Sequence, residues 1–151
     1  RKSFWYFKEF KFQLKIMFFK KNENEKDDLA KVAALLIHAA KIDENFSNEE
    51  EKIIYQTLLK IGANNEKIDK IIQIGKEIEE NSNQILDFTK EVKNMSDENK
   101  IKIIEALWSI IYSNKKADIF ETNLMRRLAG LLYVDNKTMG LIKERIKNKK
   151  S

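Results

Sequence analysis

The chain is 151 residues long, with 29 Lys and Arg against 24 Asp and Glu, a single His, no Cys and no Pro. That length fits one domain, and the lack of Cys excludes disulfides, thiolate zinc sites, iron–sulfur ligation and cysteine nucleophiles. Zero Pro, four Gly and a content of 42% apolar and 35% charged residues argue against sandwiches and barrels and for an all-α bundle.

The chain begins on Arg1, so position 1 is read as an arbitrary edge of a fragment or processed form. Charge is unevenly placed. Residues 1–21 hold seven basic residues against Glu9, a net of +6, and residues 143–151 hold five against Glu144, a net of +4. Since the whole chain carries +5, the stretch 22–142 is acidic at −5. The basic excess therefore sits at the ends of an acidic body, which argues against nucleic acid as a partner.

Residues 1–23 form the first unit. Eight of the chain's 15 aromatic side chains lie between Phe4 and Phe19, but the longest unbroken apolar runs are only four residues. A membrane span needs about 20 apolar residues and a signal peptide an uncharged core of about 7–15, so neither fits. On a helix Lys8, Lys11 and Lys15 make one stripe, and Tyr6, Phe7, Phe10, Leu14, Met17 and Phe18 make another arc. This is the pattern of an aromatic amphipathic helix whose Lys heads meet anionic phosphates or a protein partner, with Trp5, Lys8, Lys11, Lys15 and Phe18 as the contacting residues. Two other readings stay open, a helix tucked into the core and a strand built on alternating Phe10, Phe12, Leu14 and Ile16.

Residues 24–151 make the second unit, a compact bundle of about seven helices. Asp27 and Asp28 precede an apolar stripe of Leu29, Val32, Ala33, Leu36, Ile37 and Ala40. Ser47 and Glu50 form a capping box ahead of Ile53, Ile54 and Leu58, and Gly62 closes that helix. Asn64 or Asn65 starts a helix with Ile68, Ile71, Ile72 and Ile78 inward, and Ser82 starts one with Ile85, Leu86, Phe88 and Val92. Ser96 opens a long helix through Ile101, Ile104, Leu107, Trp108 and Ile111. Asp118 with Glu121 repeats the capping box before Leu124, Met125, Leu128, Leu131 and Leu132, and Asp135 or Asn136 opens the last helix, with Met139, Ile142 and Ile146. The two capping boxes are related by an offset of 71 residues, which predicts two pseudo-repeated helical hairpins.

Few residues offer chemistry. Asp43, Asn45, Ser47 and Glu50 place oxygens along one turn, as a calcium loop does, but Asn48 and Ile54 stand where an EF-hand needs Gly and Glu. A looser divalent-cation site stays open beside the simpler reading, in which Ser47 caps a helix and the acids complement its positive end. His38 falls on the polar Lys31/Ala34/Lys41 side of its helix, and Glu49–Glu51 with Glu77, Glu79 and Glu80 read as solvated faces. Trp108 and Met125 lie on apolar stripes, and Lys143–Lys150 reads as a solubilising helix end. No catalytic constellation emerges, and no cofactor beyond that cation is implied.

The run from Leu35 to Glu50, with Ala40-Lys41-Ile42-Asp43-Glu44-Asn45-Phe46 before Glu49-Glu50, resembles the first signature of the TerB-like family. Leu107-Trp108 through Asn114, followed by Asp118, Glu121, Leu124, Met125, Leu128 and Leu131-Leu132, resembles the second. The likeness covers about residues 26–148. It implies an all-helical, non-enzymatic module of bacterial tellurite resistance and stress response, cytoplasmic and peripheral at the inner membrane face, akin to the N-terminal domain of a membrane-anchored DnaJ-type co-chaperone. It also implies acidic surface residues suited to a divalent metal. Glu44 and Lys115 replace the family's Gly after each Asp, and Asn114 replaces the second Asp, so the metal expectation rests on Asp43 and Glu50 in the first hairpin. The reading is thus an accessory module binding a protein or an anionic membrane surface, with a calcium-like cation sensor at turn 43–50 as the alternative.

Overall fold

A computed structural model describes residues 28–42, 46–113 and 119–150. Every regular element among them is a helix: α1 over 28–41, α2 Asn48–Lys60, α3 Ile68–Asn81, α4 Leu86–Lys93, α5 Asp97–Ser113, α6 Ile119–Leu131 and α7 Asn136–Lys150. The helix expected over 1–23 lies outside the described residues.

Helix α1 differs from its expected amphipathic stripe. Ala30 and the unbroken run Val32–Ile37 are buried, as are Ala39 and Ala40, so beyond its first turn, where Asp28 is exposed and Leu29 partly buried, the helix runs through the core with Lys31, His38 and Lys41 near its surface. The polar face expected around Ala34 is therefore narrower than the pattern suggested. A helix apolar nearly all round is one that others surround. Its small residues allow close neighbours: a Cβ built on Gly75 of α3 would stand 2.7 Å from the Ala33 Cβ and 3.0 Å from the Ala30 carbonyl oxygen.

The caps follow the sequence in most places. Ser47 Oγ accepts from the Glu50 N–H, and its hydroxyl donates to Glu50 Oε1 at 3.1 Å. Ser96 and Asp135 accept from the N–H groups of Asn99 and Thr138. The hydroxyl and then the N–H of Thr138 hold the Asp135 carboxyl below its ordinary pKa. Asn64 accepts from the Glu66 N–H, but in a turn before the helix proper at Ile68. Ser82 closes α3 instead of opening the next helix, and α4 starts without a side-chain cap. Leu86 and Ile101, both expected on apolar stripes, are exposed.

The internal repeat is longer than the hairpin read from the capping boxes. Helix α2 ends with the Gly62 N–H donating to the Leu59 carbonyl and the Ala63 N–H to the Leu58 carbonyl, the paired bonds of a Schellman closure with Gly62 at φ 112°. Helix α6 ends with the same two bonds 71 residues later, from Tyr133 to Gly130 and from Val134 to Ala129. The offset then carries Asn64 onto Asp135, both hydrogen-bonded to the chain just ahead, and Ile68 and Ile71 onto Met139 and Ile142, all four buried. The repeating unit is three helices, α1–α3 and α5–α7, and α4 is the piece between them. Helix α5 packs on α2 and α7, and α4 packs on α6.

Tyr133 occupies at φ 56° the left-handed position that Gly62 fills in the first unit. A side chain there costs about 1 kcal/mol or more, against about 0.5 kcal/mol from the Lys93 ammonium, 4.4 Å from the centre of this exposed ring. Tyr133→Gly is therefore expected to raise the urea midpoint, by about 0.5 kcal/mol of stability. A lowered midpoint would show that the ring does more than contact Lys93.

Candidate functional site

The polar side chains of α1 tie the helices together. Lys31 Nζ lies 2.6 Å from Glu91 Oε1 on α4. Glu79 of α3 receives His38 Nδ1 at 3.3 Å on one oxygen and Lys41 Nζ at 2.8 Å on the other. Glu79 is only 12% exposed in its side chain, so it is a bridge between α1 and α3 and not part of a solvated acidic face. His38 is half-buried, with its ring 6.1 Å from that of Phe88. It also lines a cleft between α1 and α6 with Ile42, Asn123, Leu124 and Arg127.

Within the turn expected to hold a cation, Ser47 and Glu50 are described, and Asp43 and Asn45 are not. Glu50 is 1% exposed, in contrast to the solvated face expected for Glu49–Glu51, and shares its cap with Ser47. Among the described residues no three His, Asp or Glu side chains gather in a way that would hold a metal ion. Trp5, Lys8, Lys11, Lys15 and Phe18 also lie outside the described residues. Asp118 and the side chain of Glu121, which form the second capping box, lie outside the described residues too.

The surface features missed by pattern reading are grooves between helices. The larger, of about 660 Å³, runs between α2 and α3 and is lined by Glu51, Tyr55, Leu59, Asp69, Ile72 and Lys76, among others. Lys76 reaches Glu51 at 3.7 Å and stands 5.9 Å from the Phe46 ring centre, closing part of its rim. A smaller groove, of about 160 Å³, lies between α6 and α7 at the matching place of the second unit, with Trp108 of α5 in its wall. Trp108 is buried and stacks on Tyr112 at 5.9 Å between ring centres. Burial, and then the Glu144 carboxylate, push the Tyr112 phenol above its ordinary pKa.

The bundle of two three-helix units is matched over residues 29–144 by the family model described as tellurite resistance protein TerB. The chain belongs to the TerB family. The match runs from the first turn of α1 into α7 and so takes in both units and α4, and it leaves residues 1–23 outside. No curated protein and no solved structure matches the chain. The all-α TerB body expected from the two signatures is thus established. No described helix is long and apolar enough to cross a membrane.

Proposed function

We propose that this TerB-family chain is a non-enzymatic accessory module of the tellurite-resistance and stress-response type. It works by contact, at the cytoplasmic face of a membrane, and its first 21 residues make that contact. The observation that carries this reading is the charge division: +6 on an aromatic-rich segment beside an acidic stretch of −5. A basic aromatic segment gains about 1 kcal/mol per Lys near an anionic surface, while residues 24–151 as a whole carry no net charge and gain nothing comparable. The TerB body supports the same view, since its fixed carboxylates serve as cap and bridge: Glu50 with Ser47, Glu79 with His38 and Lys41, Glu91 with Lys31.

The test is co-sedimentation of the full chain with phosphatidylglycerol vesicles over a salt series, beside the Lys8→Gln/Lys11→Gln/Lys15→Gln variant. The wild type should bind, weaken as salt rises, and lose on the order of a hundredfold in affinity when the three charges go. Absence of wild-type binding, or binding indifferent to both salt and the three substitutions, would overturn the membrane reading.

A further inference from the structure

The two units of the repeat supply an internal comparison. Four positions line both the α2/α3 groove and the α6/α7 groove, and each changes character between them. Glu51 and Asp69 of the first unit correspond to Thr122 and Gly140 of the second, while Tyr55 and Ile72 correspond to Arg126 and Lys143. Two acids are removed and two cations are added at matching places. Behind them, the indole of Trp108 stands at the position of Ile37, so an N–H donor takes the place of hydrocarbon.

That donor is the second observation. Trp108 is 2% exposed, and its Nε1 is buried with no hydrogen-bond partner among the described residues. Buried donors of this kind are uncommon because leaving one unpaired is costly. Lys143 Nζ lies 5.4 Å from the centre of the same indole, and neither Lys143 nor Arg126 is in an ion pair among the described residues. No described residue lining the groove is acidic; Asn136 and Thr122 complete its polar rim. Asp135, next to Asn136, is engaged in capping the Thr138 N–H.

We infer that the α6/α7 groove is a binding site for a phosphate-type oxyanion, free or at the end of a small monoester, held by Arg126 and Lys143 with Trp108 Nε1–H as the inner donor. Arg126 offers a planar fork to two oxygens and Lys143 a mobile point charge. The Trp108 N–H has almost no accessible surface, so an anion reaches it when the flexible Lys143 chain over the indole swings toward the ligand. At about 160 Å³ and open to solvent, the groove holds a single anionic group and lets the rest of a small monoester project outward. This site is separate from residues 1–21, and its failure would leave the vesicle-binding reading untouched.

The test uses the full chain labelled with ¹⁵N. It carries two Trp residues, Trp5 and Trp108, and Trp5→Phe identifies the Trp108 indole signal. Sodium phosphate and glycerol 3-phosphate are titrated in parallel against sodium chloride at matched ionic strength. Saturable movement of the Trp108 indole N–H with phosphate but not chloride is the expected result. Arg126→Gln and Lys143→Gln, both at the rim, should each weaken it at least about tenfold. If glycerol 3-phosphate binds as well as phosphate, the site takes monoesters; if only phosphate binds, it takes the free ion. Movement that follows ionic strength alone, or that survives both substitutions unchanged, overturns the assignment.

Discussion

Gly75→Ala should destabilise the protein by about 1–2 kcal/mol, although the same change inside a helix ordinarily stabilises it. Alanine is favoured over glycine in a helix by about 1 kcal/mol. At position 75 the added methyl would stand 2.7 Å from the Ala33 Cβ, 3.0 Å from the Ala30 oxygen and 3.2 Å from the Ala34 nitrogen. Two of those three atoms are backbone and cannot turn aside, so α1 and α3 would have to separate. Overpacking of this kind costs about 1–3 kcal/mol, and contact with two backbone atoms puts this case at the upper end, so about 1–2 kcal/mol of loss remains after the propensity gain. It would also loosen the His38–Glu79–Lys41 bridge between the same helices. Gly140 of α7 is the control, because nothing lies within 4 Å of a Cβ built there. Gly140→Ala should stabilise by up to about 1 kcal/mol. Urea unfolding of the two variants should move in opposite directions, and adding Ala33→Gly to Gly75→Ala should restore part of the loss. A stabilised Gly75→Ala protein would mean that α1 and α3 are not held this close.

What could be read from the sequence follows the same physics. The stripes of α3, α6 and α7 were legible because each of those helices buries one face, and Ser47, Ser96 and Asp135 were legible because a cap acts within four residues. Helix α1 was misread around Ala34 because periodicity assumes one buried face, whereas α1 is enclosed by helices distant in sequence. The repeat was visible as a hairpin only. Its third helix is disguised, since Gly75 faces the close contact with α1 where the offset places Ile146. Its C-cap is disguised as well, because Tyr133 stands where the pattern calls for Gly. The α6/α7 groove was illegible for another reason. Trp108, Arg126 and Lys143 lie on three helices, and Trp108 read as core on its own stripe, which it also is. Only once the helices are placed does its unpaired N–H become an observation. The TerB signatures sit on the two hairpins and say nothing of what differs between them.

Phe88→Ala should cause the largest loss of any single substitution considered, about 3–5 kcal/mol out of a total stability that for a domain of this size is about 5–15 kcal/mol. Among the described residues Phe88 is the largest side chain of those fully buried, at 1% exposure, and it comes from α4, the one described helix with no counterpart in the repeat. Eight residues are too few for a helix to persist alone, and no side chain caps its start. Its position between the two units is therefore held by what it buries: Phe88, Thr89 and Val92. The alternative anchor is the Lys31–Glu91 pair, but the Lys31 side chain is 32% exposed, and pairs of that kind contribute about 0–1 kcal/mol. Packing outweighs charge here by a factor of several. Lys31→Ala should accordingly shift the urea midpoint only slightly, while Phe88→Ala should shift it far and strip amide-exchange protection from α4 before α1 or α5 opens. The same truncation removes the ring next to His38, so the His38 signals should move in the folded state. Loss of less than about 1 kcal/mol, or protection lost everywhere at once, would show that α4 is integral to the core through other contacts and not pinned by Phe88.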